Sequence, residues 1–80
     1  MNKHIEEQKR KGNLTEAYIL NYIKKYIALK NYPPTFDEIR IGVGLKSKST
    51  VFERMQALRD KGKLDYIDKS PRTIVLKEGA

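Results

Sequence analysis

Apolar residues recur at Ile19, Ile23 and Ile27, disappear across "NYPP", return at Ile39, and recur again at Val51, Met55 and Leu58 before alternating with polar residues beyond Gly62. The sets around Ile23 and Met55 have helical spacing, and the last has the period of a strand. Asn13 with Glu16 has the form of a helix start, and the helix then runs through "LTEAYILNYIKKYIALK" until the residues before Pro33 and Pro34 are pushed out of the α region. Thr35 with Glu38 is a capping box for a second helix, with Asp37 adding a favourable charge near its positive end. Gly42 and Gly44 keep that helix short, and "VGLKS" reads as a tight turn. Ser47 caps a third helix over 48–61, with Gly62 as its left-handed ending. "KLDYI" and "RTIVLK" are then two strands around the turn-forming "DKSP", which makes a β-hairpin.

A short helix, a glycine-containing turn and a longer capped helix form a helix-turn-helix, and a hairpin that follows directly is a wing. The expected fold class is therefore α+β, mainly α: a three-helix winged helix-turn-helix with a C-terminal β-hairpin wing. Residues 1–12 have no sustained apolar period and read as a flexible basic arm, 13–77 as the winged-helix domain, and 78–80 as a tail.

Composition narrows the function. Eighty residues make one domain, and the absence of Cys with a single histidine, His4, leaves no metal site and no cofactor to expect. No apolar run is long enough to span a bilayer and the N-terminus lacks a signal-peptide core, so the expected location is cytoplasmic, with bacterial or phage DNA. The formal net charge is +7, and residues 46–63 alone carry six basic and two acidic side chains. A local cationic excess among polar groups suits a polyanion, while the plainer reading is that these residues only solubilise.

The same segment carries the candidate chemistry. Opposite Val51, Met55 and Leu58, the residues Ser49, Phe52, Glu53 and Gln56 repeat the helical spacing. In a major groove, Ser49 and Thr50 would meet base edges, Glu53 would accept from a cytosine amino group, and Phe52 would pack on a thymine methyl. The alternative for Phe52 is to close the core beneath the wing. Lys46, Lys48, Arg54 and Lys63 are phosphate contacts or ordinary solvated residues, and Lys69, Ser70 and Arg72 place polar groups at the wing turn. Tyr18, Tyr22 and Tyr26 form a stripe that flanks the apolar face, or else stacks on bases or another copy. Asp37 and Glu38 are explained as caps rather than as general acids, and with no nucleophile and base pair or phosphate loop, no enzyme activity is expected.

"PPTFDEIRIGVGLKSKSTVFERMQALRDKGKLDYI" resembles the N-terminal DNA-binding domain of the LexA repressor family. The resemblance is carried by Pro33, Pro34 and Thr35, by Glu38 and Ile39, by Val43, Gly44 and Leu45, by Ser47, Ala57 and Leu58, and by Lys61 and Gly62. It implies sequence-specific binding of double-stranded DNA by a repressor-like regulator, and it carries Ser47 and Glu53 onto positions the family uses at DNA. Ser49 stands where the family has its base-reading Asn, and Phe52 replaces a Glu, so the family's operator is not implied. The self-cleaving peptidase domain of LexA-like repressors is not among these residues, and no autoproteolysis is expected of them. The partners implied are double-stranded DNA and a second copy on a two-fold site. A competing reading is a winged-helix protein-interaction module, an adaptor or antirepressor.

Overall fold

The computed structural model describes the backbone of residues 3–77 and the side chains of residues 14–77. Among them are three helices followed by a two-stranded antiparallel sheet. Helix α1 spans Lys3–Lys30 and buries Ile19 and Ile23 completely, with Ile27 packed at the core edge. It does not begin at Asn13. A preceding run rich in Glu, Gln, Lys and Arg has high helix propensity and carries the backbone through Gly12 and Asn13. Nor is Glu16 a capping acid: it lies on the inner face, one turn before Ile19 and Leu20, where Arg54 and Lys61 meet it. The expected arm thus has its backbone in α1 from Lys3 onward. Its side chains, His4 included, lie outside the described residues, as do residues 78–80.

Helix α1 stops at Asn31, whose φ of 68° is left-handed and whose N–H donates to Ile27 O at 2.8 Å. Helix α2 spans Phe36–Val43 and opens with the expected capping box: Glu38 N–H donates to Thr35 Oγ1 at 3.1 Å, and Thr35 N–H to Glu38 Oε1 at 2.9 Å. Gly42 proves to lie inside this helix rather than ending it. A Cβ at Gly42 would collide with the Tyr22 ring, so the glycine is what lets α1 and α2 approach. The ending belongs to Gly44, at φ 86°, where the N–H groups of Gly44 and Leu45 take up the last carbonyls of the helix.

Helix α3, Lys48–Asp60, is capped by Ser47 Oγ, which accepts from Ser49 N–H at 3.1 Å. Its inner face buries Val51, Met55 and Leu58. Gly62, at φ 76°, turns the chain out of the helix, with Gly62 N–H donating to Arg59 O and Lys63 N–H to Leu58 O, both at 3.0 Å.

The wing is shorter as a ladder, and longer as a loop, than its sequence suggests. Strand β1 is Leu64–Asp65 and β2 is Val75–Leu76, with Leu64 opposite Leu76 and Asp65 opposite Val75. The extended runs expected over 63–67 and 72–77 break off because side chains compete for the backbone. Asp65 Oδ1 accepts from Tyr66 N–H at 2.8 Å, and Thr73 Oγ1 accepts from Ile67 N–H at 2.9 Å while donating to Ser70 O at 3.0 Å. Lys69 and Arg72 both hold left-handed φ, 63° and 59°. Each costs on the order of 1 kcal/mol for a residue with a Cβ, so the surrounding contacts must hold the loop in that form.

One core serves all of this. Ile19 and Ile23 of α1, Ile39 of α2, Val51, Met55 and Leu58 of α3, Leu64 of β1 and Ile74 beside β2 form a single buried cluster. The wing is therefore anchored to the helices through its two ends, leaving its loop to side-chain contacts.

Candidate nucleic-acid interface

Burying Val51, Met55 and Leu58 forces the opposite face of α3 outward. Lys48, Ser49, Phe52, Glu53 and Gln56 are exposed and Thr50 is half-buried, with Lys46 and Ser47 exposed just before the helix. Glu53 makes no ion pair among the described residues. Ser47 uses its hydroxyl on the cap, leaving other first-turn N–H groups of α3 beside Lys46 and Lys48, an arrangement that favours an anion.

Phe52 only partly closes the core beneath the wing. It remains 55% exposed, yet its ring centroid lies 5.1 Å from that of Phe36, which in turn meets Tyr66 at 4.9 Å. One side of the ring leans on this aromatic row and the rest is open. The row forms the floor of a cleft of about 240 Å³ between α3 and the wing loop, whose rim includes Lys69, Ser70 and Arg72. Phe52 of α3 and the wing tip thus share one concavity.

Not every candidate joins it. Arg54 turns to the other side of α3, its Nη1 3.3 Å from Glu16 Oε2, and Lys61 Nζ lies 2.6 Å from Glu16 Oε1. Glu16 is only 7% exposed, and the two cations that cover it from the surface tie α1 to α3. Lys63 is half-buried at the start of the wing, whereas Lys69 and Ser70 are exposed at its tip.

Arg72 is held against α1 and α2 although its side chain stays exposed. Its Nη1 and Nη2 donate to Glu38 Oε1 and Oε2, each at 3.0 Å, and Nη1 lies 3.1 Å from Pro33 O and 3.3 Å from the Tyr26 hydroxyl. The guanidinium also stacks over Tyr32, 4.8 Å from the ring centre. The Arg72 hydrogen bonds, reinforced by the Thr35 N–H, hold the Glu38 carboxyl down to about 2, and the same pairing raises Arg72 above its ordinary value. The Tyr22 and Tyr26 rings pack 5.9 Å apart and Tyr26 meets Tyr32 at the same distance, so of the Tyr18, Tyr22 and Tyr26 stripe it is Tyr18, 60% exposed, that stands clear of this group.

Sequence reasoning missed three contacts here: Glu16 with its two cations, the Arg72–Glu38 pair, and Arg59, which stacks 4.1 Å over the Tyr66 ring and donates to Asp68 at 3.4 Å. All join residues far apart in the chain or across the α3–wing corner, where no local spacing signals them. Among the described residues no cluster of His, Cys, Asp or Glu is placed to hold a metal ion, and no helix is long and apolar enough to cross a membrane.

The family model described as the LexA DNA binding domain matches residues 11–73, from within α1 into the wing loop. The chain belongs to the LexA DNA-binding domain family. It is 43% identical over 61 residues to the LexA repressor of Carboxydothermus hydrogenoformans, covering 76% of this chain and 30% of that protein. It is 41% identical over 59 residues to the LexA repressor of Staphylococcus aureus strain N315 (74% of this chain, 28% of that one). It is 40% identical over 62 residues to that of Desulfitobacterium hafniense strain Y51 (78% and 30%). The chain thus spans about 30% of the length of the curated relatives it matches. Within the LexA family frame, α2 and α3 are the helix-turn-helix and the β1–β2 hairpin is the wing, so the winged-helix fold expected from the sequence stands. The unit that matches is the DNA-binding one, and α3 is its candidate reading helix.

Proposed function

We propose that this chain binds double-stranded DNA sequence-specifically, as the operator-reading module of a repressor-like regulator. The observation that carries the reading is the α3 face: polar, cation-flanked and exposed along a helix whose opposite side is fully buried, in a member of the LexA DNA-binding domain family. Placed in a major groove, Ser49, Thr50, Phe52 and Glu53 face base edges, and Lys46, Lys48, Lys63, Lys69 and Ser70 face phosphates. Two copies bind two half-sites, in the cytoplasm where such DNA resides. The reading assigns no reaction to these residues.

Selection from a random duplex pool at about 0.15 M salt tests the proposal. An enriched two-fold site is expected, and Phe52→Ala or Glu53→Ala should flatten the preference at one base pair by about 1–3 kcal/mol without unfolding the chain. Retention of duplexes with no shared motif, lost as salt rises, would sink sequence-specific reading.

A further inference from the structure

An arginine at a wing turn suggests a phosphate contact, but Arg72 is already occupied. Both terminal nitrogens are held by the Glu38 carboxylate and the guanidinium lies on Tyr32, while the residue itself sits in a left-handed conformation. Glu38 is fixed in turn by the capping box, so the pair joins the wing loop directly to the first turn of the helix-turn-helix. Lys69 and Ser70 precede Arg72 by two or three positions and line the same cleft as Phe52 of α3. The wing ladder is only two residue pairs long and cannot orient that tip unaided.

We infer that Arg72 is a positioning residue for DNA binding: by gripping Glu38 in the first turn of α2, it fixes the wing loop so that Lys69 and Ser70 face the same groove and backbone as the α3 surface. This rests on the DNA-binding reading above. A bidentate fork on a carboxylate is a geometry that lysine cannot reproduce, whereas a phosphate accepts lysine as a point charge. Positioning and direct contact therefore make opposite predictions. Glu38→Gln keeps a capping-box side chain while removing the charge that Arg72 grips.

The experiment compares wild type, Arg72→Lys, Arg72→Ala, Glu38→Gln and the Glu38→Gln/Arg72→Ala double variant. One readout is affinity for a duplex recovered by the selection, measured across a salt series. The other is backbone NMR relaxation of residues 66–73 without DNA. Under positioning, every variant loosens the loop, affinity falls about five- to tenfold, Arg72→Lys does not rescue, and the double variant is no weaker than the weaker single one. The inference is overturned if Arg72→Lys retains wild-type affinity and Glu38→Gln binds as tightly or tighter, which is the signature of a direct phosphate contact. An equally ordered loop in all variants also overturns it. A wild-type chain that binds no duplex overturns the DNA reading and the positioning role with it, and the relaxation data then show separately whether the latch exists.

Discussion

In the helix-turn-helix, each boundary is closed by near neighbours: Thr35 with Glu38, Gly44 and Leu45 with Arg40, Ser47 with Ser49, and Gly62 with Arg59. The wing loop has local Thr73 bonds of its own, but it is tied to the helices by Arg72, whose partners Glu38, Pro33 and Tyr26 lie 34, 39 and 46 positions away. Local contacts cost little chain entropy to form, whereas the distant ones form only once the helices have brought their acceptors together. The same 80 residues thus contain a helix-turn-helix specified by its own sequence and a wing whose geometry depends on the rest of the fold.

The shared core sets the limit of this contrast, and the largest expected effect tests it. Met55 is fully buried among residues of α1, α2, α3 and the wing. Met55→Ala should cost about 2–5 kcal/mol, a large share of the roughly 5–10 kcal/mol such a small domain holds. In urea denaturation, helical circular dichroism and tyrosine fluorescence should shift together. Two separate transitions would show that the wing is not anchored to the helical core.

A smaller effect sharpens the local side. Gly→Ala in an exposed helix ordinarily stabilises by about 1 kcal/mol. At Gly42 the added methyl would meet the Tyr22 ring, which is itself packed on Tyr26. Gly42→Ala should therefore lower the melting temperature, with a net loss of about 1 kcal/mol. Combining it with Tyr22→Ala should remove the penalty attached to Gly42. A rise in melting temperature for Gly42→Ala alone would show that the ring moves aside freely.

These two substitutions mark what could be read from the sequence. The Thr35–Glu38 box, the Ser47 cap, the Gly62 ending and the Val51, Met55 and Leu58 face were all legible, because each depends on spacing within about a turn or two of helix. The helix-turn-helix and its outward face followed from them. Gly42, expected with Gly44 to keep α2 short, lies inside it, and its reason lies on α1. Strand lengths were overread because Asp65 and Thr73 take backbone groups from the ladder. In the candidate site, Ser49, Phe52, Glu53 and the flanking lysines are where the periodicity put them. Arg54 and Arg72 carry the right charge for a phosphate, but the carboxylates of Glu16 and Glu38 hold them, and nothing near them in sequence announces those partners.

The smallest effect bears on the wing alone. Glu38 has a folded value of about 2 against an ordinary 4.5, lowered chiefly by Arg72. A carboxyl with a depressed value contributes stability that is fully present above about 4.5 and disappears as pH falls toward about 2. Arg72 stays charged throughout, so the change comes from the carboxyl, faced by Arg72 from the wing, Tyr26 from α1 and the Thr35 N–H at the start of α2. Both members of the pair are 35–40% exposed, and solvent screening keeps the effect small. Across that window, amide exchange in residues 66–73 should accelerate before the helical signal falls, and Glu38→Gln should show no such early phase. If wild type and Glu38→Gln traced the same curve, the pair would contribute nothing that acid removes. The loop would then be held by the Thr73 bonds and the Tyr66 packing, and the wing would be more local than its longest contacts suggest.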